Sequence, residues 1–163
     1  LVLNDFVASA LINKKIELLS DGSAWRPIID VKDMSRSIFW AISRDVSDKS
    51  FLALNVGKDD WNFTIRNLAE SVKKMIPNVD ISFAKDASPD KRSYRVDFSL
   101  FKSLAPDHQP IQKIYNTISE IADGISNSKF RVKDFRKSHL VRLNTLNYLR
   151  EQKLINDNLE WIS

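Results

Sequence analysis

Cysteine is absent from this chain, and glycine appears only three times in 163 residues, at Gly22, Gly57 and Gly124. Without thiols there are no disulfides and no thiolate metal site, a usage that fits a reducing cytoplasm. Glycines so scattered exclude a G-x-G-x-x-G loop, since a phosphate cradle needs clustered glycines for backbone N–H groups to approach the anion. Histidine is scarce as well. His108 and His139 stand far apart, and with no H-E-x-x-H a zinc site is not expected. His108, in "PDHQP", reads as an exposed turn residue, and His139 as a surface or packing residue. No serine occupies a G-x-S-x-G elbow, and none of Tyr94, Tyr115 and Tyr148 is followed by lysine four residues on. No apolar run approaches the roughly eighteen residues of a membrane-spanning helix. The stretch "LVLNDFVASALINKK" has no basic residues ahead of its apolar part, so no signal peptide is expected. No catalytic residue, cofactor site or metal site is expected here.

What remains is an ordinary globular composition, 43% hydrophobic and 28% charged, long enough for one domain with a core. The net charge of +4 suits an anionic ligand but falls short of a dedicated nucleic-acid binder. Periodicity predicts a first helix over "LVLNDFVASALIN", with Leu3, Val7, Ala10 and Leu11 on one face. "KIELL" is a strand candidate, "SDG" a turn, and "RPIIDV" extended, because Arg26 precedes a proline. A helix from about Lys32 to about Arg44 should turn Met34, Ile38, Ala41 and Ile42 inward. "FLALNVG" has the near-continuous apolar character of a buried strand. Thr64 should cap the next helix, which carries Ile65, Leu68, Val72 and Met75 or Ile76 inward and stops at Pro77. "VDISFA" and "SYRVDFS" read as strands on either side of a polar loop, and "SLFKSLAP" as one or two helical turns. "IQKIYNTISEIADGI" should be an amphipathic helix closed by Gly124, and "RKSHLVRLNTLNYLREQKLI" a last helix. The order of units points to a mixed α/β (α+β) fold of short strands with flanking helices.

One stretch is more specific. "SDGSAWRPIIDVKDMSRSIFWAI" resembles a segment of the extended short-chain dehydrogenases/reductases acting on nucleotide sugars, the NAD-dependent epimerase/dehydratase family, through Gly22, Arg26, Ile28, Ile29, Val31, Asp33 and Ser35. "LALNVGKDDWNFTIRNLAESV" is similar to that family's next strand, Asn-x-Gly turn (Asn55, Gly57) and helix. "DKRSYRVDFSLFKSLAPDHQPIQKIYNTISEIADGI" is similar to its downstream pattern, in the same order. Asp30 departs from the family's usual histidine or tyrosine, and Ser35 from its alanine.

The resemblance implies that residues 1–163 are a single substrate-binding portion, the C-terminal part of a Rossmann-type enzyme of carbohydrate metabolism. The glycine-rich cofactor loop and a Tyr-x-x-x-Lys pair would lie in polypeptide absent here, the chain being a fragment or the product of a split gene. NAD or NADP would serve the complete enzyme, and this chain alone would be inactive. A nucleotide-diphosphate sugar would be the ligand. Its diphosphate would meet Arg26, as a guanidinium fork suits phosphate oxygens. Arg92 would be a second anchor, with Lys91 and Arg95 as alternatives. Asn55, Val2, Leu3 and Asn4 complete the implied contacts. From the residues alone, Arg26 could instead stack on Trp25 or pair with Asp30 or Asp33, Asn55 could simply form its turn, and Leu3 could be core. The implied partner is the N-terminal Rossmann half, with a homo-oligomer also admitted and neither membrane nor nucleic acid expected. Two other readings stand. "FRKSHLVRLNTLNYLREQKLINDNLEWI" could be a recognition helix and wing of a nucleic-acid-binding module, if Arg136, Lys137, Arg142 and Arg150 shared an exposed face. The chain could also be a structural subunit whose apolar surface a partner covers.

Overall fold

The computed structural model describes residues 2–45, 51–85, 87–127, 134–139 and 141–162. They fall into two compact units, Leu1–Gly124 and Ile125–Ser163. In the first, helix α1 (Val2–Asn13) leads through Lys14, at φ 53°, into strand β1 (Lys15–Leu18). Strand β4 (Asp80–Phe83) lies parallel to β1, with Ile16 opposite Ile81 and Leu18 opposite Phe83. Between them in sequence, β2 (Trp25–Pro27) and β3 (Asn62–Thr64) form an antiparallel pair with Arg26 opposite Phe63.

Helix α3 (Ile65–Met75) starts where expected, with the Thr64 hydroxyl accepting from the Asn67 N–H at 3.1 Å. That contact satisfies one of the donors a helix start leaves open. Leu68, Ala69 and Val72 are fully buried, and α3 packs on α1, β1 and β4. Ile76 is the inward residue at its end, while Met75 is 39% exposed. With Leu3, Phe6, Val7, Ile16, Leu18 and Val79 these side chains make the core.

Helix α2 (Val31–Ser43) forms at the expected place but faces the other way. Its buried residues are Asp33, Ser37 and Trp40, while Met34, Ile38, Ala41 and Ile42 are exposed. Asp30 caps it, accepting from the Lys32 N–H at 2.8 Å. Trp40 sits edge-on to Phe101 of helix α4 (Ser99–Leu104), 5.7 Å between ring centroids, with Ala105 beside them. Leu52, Leu54 and Val56 pack on that cluster.

Residues 51–57 therefore alternate inward and outward, yet among the described residues they join no sheet, so the expected buried strand is not formed. The same holds for "SYRVDFS", which runs beside β2 with one long backbone contact, Tyr94 N–H to Trp25 carbonyl at 3.4 Å. Helix α5 (Ile114–Asn127) starts later than expected and runs through Gly124 instead of stopping there. A helix interior tolerates a glycine at modest cost, so the residue alone does not end it.

In the second unit, helix α6 (Arg142–Glu151) is much shorter than the sequence suggested. A 3-10 turn, Phe135–Lys137, precedes it, and an antiparallel bridge joins Ile155 to Trp161 after it. Arg136, Lys137, Arg142 and Arg150 are exposed, but Lys137 pairs with Asp134 at 3.2 Å and Arg150 with Asp157. His139 lies edge-on to Tyr148, with ring centroids 5.2 Å apart. Among the described residues, no helix is long and apolar enough to cross a membrane.

Candidate functional site

Arg26 projects from the middle of β2, a position made extended by the proline after it. Its guanidinium is fixed on several sides. One amino group donates to the Trp25 carbonyl at 2.7 Å and also to the carbonyl of Arg92. The other donates to Asp90 Oδ2 at 2.7 Å. The plane lies 5.5 Å from the ring centre of Tyr94. The Arg26 side chain is 19% exposed, so it is held but still reachable.

Asp90 is the hinge of this arrangement. Besides Arg26 it accepts from the Arg92 backbone N–H at 3.0 Å, from Arg92 Nε at 3.1 Å and from Arg92 Nη2 at 3.1 Å. The side-chain and backbone hydrogen bonds from Arg92, with the charge of Arg26 behind them, lower the Asp90 carboxyl to a pKa of about 2. The same contact raises Arg92. Arg92 itself is 83% exposed. Two guanidiniums against one carboxylate leave a net positive spot, and Arg95 stacks 4.6 Å from the Trp25 ring centre close by in sequence. The Trp25 N–H donates to Ser93 Oγ at 3.1 Å, which ties the loop to β2.

Arg26 and Arg92 are thus brought together on Asp90. The acid joining them was missed. Neither Asp30 nor Asp33 touches Arg26 in the way the residues alone allowed, because both are committed elsewhere. Asp30, 5% exposed, caps α2 and accepts from Thr117 Oγ1 at 2.5 Å. Asp33, 1% exposed, accepts the backbone N–H groups of Ile111 and Gln112 at 3.0 and 3.1 Å. Both carboxylates therefore fasten the chain ahead of and within α5 onto α2. A clue to Asp90 existed, since an aspartate two residues before an arginine in a polar loop readily accepts the i+2 N–H.

The other expected positions lie on different elements. Val2, Leu3 and Asn4 form the first turn of α1, which packs on α3 and β1; Leu3 is a core side chain and Asn4 is exposed. Asn55 is exposed and its amide reaches the Asp97 carbonyl at 3.4 Å. Two residues on, Gly57 has φ 156°, and a Cβ there would lie 2.6 Å from Phe98 Cε1. That close approach to a buried ring explains the glycine better than turn geometry does.

Gly57, Lys58, Phe98 and Lys102 border a cleft of about 240 Å³. This is below the roughly 300–1,000 Å³ that enclose a drug-sized ligand, so it cannot by itself hold a sugar nucleotide. Lys58 is partly spent, donating to the Gln112 carbonyl at 3.3 Å and lying 5.8 Å from the Trp61 ring centre.

Comparison with known proteins adds two findings. Residues 2–57, which contain α1, β1, β2, Arg26, α2 and Asn55, match the model of the NAD dependent epimerase/dehydratase family. The fold matches an NAD-dependent NDP-hexosamine 5,6-dehydratase involved in tunicamycin biosynthesis, with a TM-score of 0.63 at 14% identity over 82% of this chain and 41% of that one. It also matches dTDP-glucose 4,6-dehydratase from Bacillus anthracis in complex with NAD, at 0.60 and 20% identity, over 79% and 40%. L-threonine dehydrogenase from Phytophthora infestans gives 0.61 and 15% identity, over 75% and 40%. The chain thus spans about 40% of the length of these solved structures.

For a nicotinamide dinucleotide the described residues do not fit. Gly22 turns against Arg66, Gly57 against Phe98, and Gly124 lies in a helix, so no glycine cradle faces a helix start. The first third of the chain carries the sequence signature of the NAD dependent epimerase/dehydratase family, on a mixed α/β fold shared with part of solved dehydratases and dehydrogenases.

Proposed function

We propose that this chain is the nucleotide-diphosphate-sugar-binding part of an NAD(P)-dependent epimerase/dehydratase-type enzyme, whose cofactor loop and catalytic tyrosine and lysine belong to other polypeptide. The observation that carries this reading is the convergence on Asp90 of Arg26, which lies in the matched residues 2–57, and Arg92, which lies beyond them. Arg26, preset by β2 and Tyr94, would turn the Nη2 donor now held by Asp90 to one phosphate, and the exposed Arg92 would reach the second. Asn55, Val2 and Asn4 are further ligand-facing positions in this reading, with Leu3 holding the α1 turn from within. Hydride chemistry from a nicotinamide cofactor would be supplied by that other polypeptide, not by residues of this chain. The part played here is anchorage: a diphosphate fixed at a distance places the sugar for reaction. A cytoplasmic location, from the cysteine-free composition, belongs to the same reading.

Titration of the chain with dTDP-glucose, followed by ligand-observed NMR, tests it. Arg92→Ala should weaken binding about tenfold, the low end for a charge-assisted contact given its exposure, and inorganic pyrophosphate should compete. Lys153→Ala, in the second unit, should change nothing. Equal binding by the Arg92 variant, or no binding of dTDP-glucose or GDP-mannose at all, would overturn the proposal.

A further inference from the structure

The cleft beside Gly57 is small, but its walls are braced. Asp59 and Asp60 sit on the 3-10 turn Asp59–Trp61, which the buried Trp61 pins from within. The Asn62 amide locks that turn to the facing segment. It donates to the Asp59 carbonyl at 3.3 Å and the Val96 carbonyl at 3.0 Å, and accepts the Val96 N–H at 2.9 Å. Phe98 lines the floor, its ring close against Gly57, where a Cβ would collide with it. Lys102 stands one turn further along α4, its N–H donating to the Phe98 carbonyl at 3.0 Å, so the two side chains share a face. Asp97 fastens the start of α4, accepting from the Ser99 N–H at 3.0 Å and the Ser99 hydroxyl at 2.8 Å. Walls held in this way spare an occupant the cost of ordering them.

Charges of both signs line this cleft without cancelling one another. Among the described residues, Asp59, Asp60 and Lys102 enter no ion pair, while the Lys58 ammonium is turned to the Gln112 carbonyl. A simple anion would be repelled by the two acids, and a simple cation by the two lysines. A small molecule that carries both signs at once meets neither penalty. We propose that the cleft binds a free α-amino acid with an apolar side chain. Its carboxylate would meet Lys102, its ammonium Asp59 and Asp60, and its side chain Phe98. About 240 Å³ suits such a molecule, being less than a drug-sized ligand needs. This site goes beyond the sugar-nucleotide reading and stands without it.

Titration of the 163-residue chain with L-methionine, followed by saturation-transfer NMR, tests the proposal. Two derivatives that each lose one charge, N-acetyl-L-methionine and L-methionine methyl ester, are titrated beside it. L-Methionine should bind with a Kd on the order of a millimolar, as its few atoms allow. Each derivative should bind about tenfold more weakly, the low end for losing a charge-assisted contact. Lys102→Gln should weaken L-methionine about tenfold and leave the methyl ester unchanged. The double substitution Asp59→Asn, Asp60→Asn should weaken L-methionine likewise and leave N-acetyl-L-methionine unchanged. Lys73→Gln, which removes the same charge from the exposed side of α3, should change nothing. Circular dichroism spectra matching the parent show that the variants fold. No binding of L-methionine at roughly ten times the expected Kd, or equal binding of all three compounds, would overturn the proposal. So would a loss in the Lys73 variant as large as that in the Lys102 variant.

Discussion

Helices α2 and α3 are near neighbours in length and carry similar apolar periodicity, yet they spend it in opposite directions. In α3 the stripe of Leu68, Ala69 and Val72 is driven into the unit's own core, and the polar side meets water. In α2 the inner side is Asp33, Ser37 and Trp40, held by hydrogen bonds as much as by packing, and the aliphatic residues point out. Burial of apolar area stabilises the first helix. The second is secured by two carboxylates whose acceptors are filled by backbone and hydroxyl donors far along the chain. Periodicity therefore tells that a helix has an apolar side, and says nothing of whose core that side belongs to.

Substitutions can break this contrast in order of expected size. Leu68→Ala, removing a fully buried side chain from α3, should cost about 2–5 kcal/mol in denaturant unfolding. Asp33→Ala should come next, at about 2–4 kcal/mol, since it strands the N–H groups of Ile111 and Gln112 in a buried place. A loss below that of an ordinary surface substitution would mean the carboxylate does not hold the chain to α2. Acid should act on the loop. The Asp90 carboxyl is depressed to about 2 from 3.8, so its contribution is intact above pH 4 and fades as pH falls toward 2. Replacing it, as Asp90→Asn, should flatten stability over that window, as read by thermal melts at several pH values. The smallest effect belongs to Ile42→Gln. In the isolated chain it should stay within about 0.5 kcal/mol of the parent, because a side chain left in water loses nothing by becoming polar.

Much of the local order is legible in the residues themselves. Thr64 announces α3, Pro77 its end, and Arg26 before Pro27 the extended stretch that becomes β2. Two errors share a cause. "FLALNVG" has every mark of a strand, but a strand needs a neighbour to hydrogen-bond with, and none lies beside it among the described residues. The outward stripe of α2 is the same difficulty in a helix. Local pattern is encoded nearby, whereas its partner is not. The loop acid was hidden for another reason. Asp90 and Arg26 are 64 residues apart, and only the fold of the loop onto β2 brings them within 2.7 Å. Gly124 misled because glycine permits a helix end without requiring one.

In the proposed diphosphate reading, the carboxylate lodged between Arg26 and Arg92 is a tenant that the anion must meet. A guest with one negative charge balances the single positive charge left over and leaves the aspartate where it is. A guest with two closely spaced charges can satisfy both arginines at once and let the aspartate turn to solvent. In that reading, a loop three residues long would select its guest by charge number.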